Sequence, residues 1–329
     1  MTLLYLEERM NKFLCSVLTG LCLMGLIGTA ATAQAAYPEK DITLICPFGA
    51  GSGSDIIIRP LIPYMKEALG TNVVMDYKGG AGGIVGANYY TTVRPDGYTL
   101  LTYNQPHIHL QERFMKTAYK TADFVPLLAV TFRPDHILTQ KNGKFKSVDD
   151  IIAYAKANPG KLTVGTTGVY SGNHLTYALL EKEWGKLGIK MTRVPFEKGG
   201  KMISALIGGQ IDIALSGITW TKNYSEIISL ASCTEDTVEE GIPTLKSMGY
   251  DVYGSFSSNY IFAHKNTPPD VLDFLRTRLA SLATNENLKK DLIRAGVEPT
   301  IFPADEAAKL DATFIQAIDN VEDLLTKKK

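Results

Sequence analysis

The stretch Pro47-Phe48-Gly49-Ala50-Gly51-Ser52-Gly53-Ser54-Asp55 decides how this chain is read. It follows a short apolar run of strand length, Asp41 to Cys46. It precedes Ser54 to Leu69, where Ile57, Leu61 and Met65 recur at helical spacing before Gly70. A strand, a loop of small residues and a helix thus succeed one another. The same design returns at the strand Leu162 to Gly165. The loop Thr166-Thr167-Gly168-Val169-Tyr170-Ser171-Gly172-Asn173-His174 follows it, and then a helix with Leu175, Leu179 and Trp184 on one face. The first turn of a helix leaves backbone N–H groups unpaired and carries partial positive charge; glycines let a ligand come close, and hydroxyls add donors. Each loop is therefore a candidate cradle for an anion, most naturally a carboxylate.

Outward from these loops, strand-length apolar runs alternate with helical periodicity. Val73 to Tyr77, Tyr98 to Tyr103, Arg193 to Phe196 and Gln210 to Leu215 read as strands. Helices are expected from the glycines at 79–86 through Tyr90, from the Ser147 cap to Asn158, over Met202 to Ile207, after Pro268-Pro269-Asp270, and over Ala304 to Lys329. The pattern predicts an α/β architecture with largely parallel sheets.

The 329 residues carry 34 Lys+Arg against 34 Asp+Glu, which argues against electrostatic capture of nucleic acid or an anionic membrane. Phe13 to Ile27 is nearly unbroken apolar sequence and leads into small residues ending at Ala36, so residues 1–36 read as a cleavable signal peptide. Glu7 and Glu8 sit where positive charge belongs, whereas a start at Met10 would give an ordinary beginning; a lipoprotein reading of Cys22 is disfavoured by Leu21 before it. Cys46 and Cys233 are left in the mature chain, as two buried thiols or one disulfide. No ligand spacing suggests a metal or another cofactor. The dinucleotide fingerprint fails because Ser54 stands where its last glycine is needed. Gly51-Ser52-Gly53 is not a nucleophile elbow, and His174 is as well read as packing its own helix start; a secreted hydrolase or other enzyme using the same cleft, with His174 as base, is the competing class.

Seven motifs in order, the first loop among them, resemble the periplasmic solute-binding proteins of tripartite tricarboxylate transporters, the Bug family. Tyr37-Pro38-Glu39-Lys40-Asp41-Ile42 is similar to that family's mature start, and Pro47-Phe48 through Asp55 to its P-F-x-x-G-G-x-x-D loop. Gly79-Gly80-Ala81-Gly82-Gly83 resembles its P-G-A-G-G, and Pro95-Asp96-Gly97-Tyr98-Thr99-Leu100-Leu101 its P-D-G-Y-T-L-L. Asn158-Pro159-Gly160-Lys161-Leu162, Gly208-Gly209-Gln210-Ile211-Asp212 and Ile242-Pro243-Thr244 resemble K-P-G-K-L, G-G-Q-V-D and V-P-T.

The resemblance implies a type II periplasmic-binding-protein fold, with two lobes joined by two crossover segments and a ligand cleft between them. Lobe one would comprise residues 37–137 with 262–329 and lobe two residues 138–261, crossing near Ile137 to Gln140 and Tyr260 to His264. It further implies a monomeric periplasmic receptor, not an enzyme, that passes a small carboxylate to membrane transporter components or signals its presence. Carried over by position, the ligand-binding residues would be Ser52, Gly53, Ser54 and Asn104 on lobe one, with Phe48 as a wall, and Thr166, Thr167, Ser171, Gly172 and Asn173 on lobe two. Asp55 would order its loop. The chain departs from the family at Lys201, where a proline is common, and over Trp220 to Leu230, which lacks the usual P-H-I-x-x-G. Lys198 and Lys201 are expected as solvated surface charges, with a second acidic group on the ligand as their alternative partner.

Overall fold

The computed structural model describes residues 37–237, 239–253 and 256–326. The expected signal peptide, its two candidate starts and Cys22 lie outside the described residues.

Eleven strands among the described residues form two sheets. The first half of the chain runs β1 (Ile42–Cys46), α1 (Gly53–Ile58), α2 (Ile62–Leu69), β2 (Val73–Tyr77), α3 (Ile84–Tyr90), β3 (Thr99–Gln105), α4 (His107–Phe114) and β4 (Phe124–Pro134). The second sheet is built from β5 (His136–Gln140), α5 (Val148–Ala157), β6 (Leu162–Thr167), α6 (Gly172–Gly185), β7 (Met191–Phe196), α7 (Gly199–Ile207), β8 (Ile213–Ser216), α8 (Thr219–Asn223) and β9 (Ile227–Ser232). The chain then returns with β10 (Phe256–His264), α9 (Pro269–Ala280), α10 (Glu286–Arg294), β11 (Ile301–Pro303), α11 (Ala304–Asp319) and α12 (Glu322–Thr326).

Sheet one has the order β11-β4-β10-β3-β1-β2 and sheet two β7-β6-β8-β5-β9. Parallel pairing is confined to β3-β1-β2 and to β7-β6-β8; β4, β10 and β11, like β5 and β9, pair antiparallel. The expectation of largely parallel sheets is thus corrected. A βαβ unit returns each strand in the same direction, whereas a strand that arrives from the other sheet has no crossover helix to reverse it.

The fold is the two-sheet α/β arrangement of a type II periplasmic binding protein, but the chain changes sheets elsewhere than expected. Ile137–Gln140 lies in β5 and Tyr260–His264 in β10; the outward change falls at Asp135, between β4 and β5, and the return falls between Ser232 and Phe256. Both expected crossings are interior strand segments because their residues are almost all buried, Ile137, Leu138, Tyr260, Ile261 and Ala263 fully so. The backbone N–H of Cys233 donates to the Asp135 carbonyl at 2.8 Å, holding the outgoing and returning segments together.

The C-terminal segment was expected wholly in lobe one. Instead Ala307 and Phe314 of α11 lie in the sheet-one core, whereas Ala317, Ile318, Val321 and Leu325 belong to the sheet-two core with Trp184 and Leu215. His109 and Gln105 fasten α11 through Asp311, and Arg113 through Asp319. Cys46 and Cys233 are free and buried, one at the end of β1 and the other in the sheet-two core. Burial holds both thiols protonated, raising Cys46 and more strongly Cys233.

Candidate functional site

The first loop is ordered by one buried carboxylate. Asp55 accepts from the Gly51 N–H at 2.7 Å, from Arg59 at 2.7 Å and from the Tyr77 hydroxyl at 2.6 Å. Burial would raise this carboxyl, but these three donors outweigh it and hold it below the usual range; the Tyr77 phenol is pushed up to about 12 by burial and by Asp55. Ser52 caps α1, accepting from the Asp55 N–H at 3.3 Å. Pro60 interrupts the expected long helix, which becomes the six-residue α1, a 3-10 turn at Arg59–Leu61 and α2.

Ser54 and Asn104 form the second layer. Ser54 Oγ donates to Asn104 Oδ1 at 2.7 Å, and Asn259 Nδ2 donates to both Ser54 Oγ (3.1 Å) and Asn104 Oδ1 (2.7 Å). With its oxygen held by two donors, Asn104 keeps its Nδ2 without a partner among the described residues. Arg133, on β4, donates from a terminal nitrogen to Asn259 Oδ1 at 3.3 Å, and its buried Nε has no partner. Guanidinium and amide thus share one scaffold residue, Asn259, which is fully buried.

Both groups line a cavity of about 510 Å³ between the sheets. Sheet one contributes Gly53, Ile56, Ile57, Asn104, His107, Arg133 and Ser257, with Val297 and Glu298 beside them. Sheet two contributes Thr167, Asn173 and Ser216, followed by Gly217, Thr219, Trp220 and Asn223, and Asp135 stands at the change of sheets. The volume suits a small organic ligand.

The second loop is differently employed. Asn173 Nδ2 donates to Asp135 Oδ1 at 2.6 Å, the Thr176 hydroxyl donates to Asp135 Oδ2, and Thr167 donates to Asn173 Oδ1. The polar groups at the start of α6 are thus committed to a carboxylate of the protein itself. Burial pushes Asp135 up to about 6 although Thr176, Asn173 and Arg133 all favour its charged form. His107 is lowered to about 4 by burial and then by Arg133, so it faces the cavity neutral.

Of the residues singled out from the sequence, Gly53, Asn104, Thr167 and Asn173 line this cavity and the others do not. Phe48 packs on Tyr103 at 5.5 Å in the sheet-one core, and the aromatic wall is Trp220, whose Nε1 donates to Ser216 Oγ at 2.9 Å. Ser52 and Ser54 support the first loop from behind. Thr166 is fully buried beneath Arg193, and Ser171 caps α6. A Cβ on Gly172 would lie 3.3 Å from Ser257 Oγ and 3.5 Å from Pro106 Cδ, so α6 touches sheet one there.

His174 lies apart from the cavity. Its Nδ1 accepts from the Tyr170 N–H at 3.1 Å, burial lowers it to about 4, and it lines a separate cavity of about 590 Å³ with Arg193 and Tyr177. It therefore packs its own helix start. Lys198 is exposed, and Lys201 pairs with exposed Glu197 at 3.1 Å; neither lines the cavity. Sequence reasoning missed Arg133, Asp135, His107, Trp220 and Asn259. A charged pair flanking Pro134 within an apolar stretch was the only available signal.

With this geometry in hand, likeness to known proteins is specific. A family model described as tripartite tricarboxylate transporter family receptor matches residues 57–324. An Agrobacterium vitis protein from the TAR-I ttuE-ttuC' intergenic region is 28% identical over 323 residues, 96% of this chain and 91% of its own. A TctC solute-binding protein from Polaromonas, solved without ligand, superposes with a TM-score of 0.75 at 25% identity, over 86% of this chain and 99% of its own. An R. palustris protein solved with adipate gives 0.68 at 25% identity, over 87% and 98%.

Proposed function

This chain belongs to the tripartite tricarboxylate transporter family of receptors, and from that membership we propose that it captures one small carboxylate in the cavity between its sheets. It would act in the periplasm as a monomer and deliver the ligand to the membrane components of such a transporter, or report its presence, without chemical conversion. The observation that carries this reading is the pair Arg133 and Asn104. A half-buried guanidinium that bonds Asn259 through one terminal nitrogen and an amide whose oxygen is tied down present donors, on one scaffold, to the same cavity. Charge-assisted bonds of this kind are the strong ones in a partly desolvated site. Gly53 and Thr167 lie on the same cavity surface, while Ser52, Ser54, Ser171 and Asp55 shape the loops behind it.

The likeness to a protein solved with adipate supports a carboxylate as ligand. Melting curves of the purified protein with a panel of carboxylates should show concentration-dependent stabilisation by at least one of them, without turnover. In Arg133→Gln that ligand should bind on the order of a hundredfold more weakly, about 2–3 kcal/mol. Product formation from the stabilising ligand, or undiminished affinity in Arg133→Gln, would refute the proposal.

A further inference from the structure

We infer that the cavity is built for a carboxylate with a single negative charge on an apolar or aromatic body, and that it selects against dicarboxylates of equal length. This deepens the proposed function and rests on it.

The charges that line the cavity are unequal in number and place. Arg133 is the one cation among its described lining residues, whereas Asp135 and Glu298 are both acids. His107, buried and beside Arg133, adds no positive charge near neutrality. One ligand carboxylate can therefore be matched, at Arg133 and Asn104. A second would meet Asp135, Glu298 or the apolar part of the wall, with no cation to receive it.

The apolar part of that wall needs a covering. Ile56 is 48% exposed although it is a large aliphatic residue, and it lines the cavity with Ile57, Val297 and Trp220. Trp220 has its one polar atom satisfied by Ser216, so what it can offer a ligand is ring surface. Covering these side chains with a hydrocarbon or aromatic body removes apolar area from water; covering them with a second hydrated carboxylate strips that group without compensation. Asp135 cannot turn aside, because Asn173 and Thr176 hold both its oxygens.

Three six-carbon probes separate the possibilities: hexanoate, adipate and 6-aminohexanoate, with benzoate and phthalate as an aromatic pair. Titration calorimetry on the full mature chain at pH 7.5 should give hexanoate at least tenfold tighter than adipate, and benzoate tighter than phthalate. Adipate binding as tightly as hexanoate, in a manner abolished by Arg133→Gln, overturns this inference while leaving the receptor reading intact. 6-Aminohexanoate binding tighter than hexanoate overturns it as well, since the acidic side would then select a cation. Binding of none of the five overturns this inference, while the receptor reading stands or falls on the wider carboxylate panel. Asp135→Asn should narrow the hexanoate-to-adipate ratio at least threefold, and Glu298→Gln, at an exposed position, supplies the same measurement if Asp135→Asn folds poorly. A ratio unchanged in both variants refutes the assignment.

Discussion

Asn104 shows what a single oriented side chain contributes. Its amide is fixed by Ser54 and Asn259, so Ser54→Ala should weaken ligand binding about fivefold by releasing one of two restraints, roughly 1 kcal/mol, with the unliganded fold nearly unaffected. Titration calorimetry of the variant checks this. The buried histidines make a second residue-scale prediction. His107, His136 and His174 are each lowered to about 4 by burial. A base with a depressed folded value is neutral in the fold and takes up a proton on unfolding, so stability present above pH 6.5 is lost as pH falls from 6.5 through 4. Asp135, raised from 3.8 to about 6, works the other way: it costs stability as pH rises through that window. Denaturant midpoints should fall between pH 7 and pH 5, and fall more steeply in Asp135→Asn, which lacks the opposing group. Two of the partners of Asp55, Gly51 and Arg59, lie only four residues away on either side, so that part of its role is local in sequence, whereas Tyr77 is not. Arg133 was not legible in the sequence, because it acts through Asn259, 126 positions away, and no local pattern announces such a pairing.

Elements were legible where their periodicity or caps are local. Ser147 caps α5 as expected, with Asp150 completing a capping box, and Gly70 ends α2 in the left-handed region at φ 70°. Strands β4 and β5 were not read in advance, although the charged residues Arg133 and Asp135 around Pro134 divide the apolar run 124–132 from the shorter one after His136, because neither run follows a turn or cap signal of its own. Gly86 reveals how α3 reaches β1. A Cβ there would sit 2.6 Å from Pro47 Cβ and 2.7 Å from the Lys78 carbonyl oxygen, so the helix lies directly against the backbone that launches the first loop. Gly86→Ala should cost about 1–3 kcal/mol, seen as a lowered denaturant midpoint, because backbone must move to admit it.

At the scale of the whole molecule, the two sheets meet across the cavity, and Gly172 is one of the points of meeting. A methyl group there would press on Ser257, which lines the cavity, and on Pro106. Gly172→Ala should therefore weaken ligand binding about threefold to tenfold by shifting Ser257 at the cavity wall, with the unliganded melting temperature lowered by no more than roughly 2 °C. Unchanged affinity in titration calorimetry would contradict it. The helix α11 gives the molecule another kind of unity. Ala307 and Phe314 fill one core, and Ala317 and Ile318 with Val321 and Leu325 fill the other, so neither hydrophobic interior is complete without this segment. Loss of residues 304–326 would open both interiors at once rather than one, so the two halves should melt as a single cooperative unit instead of in sequence.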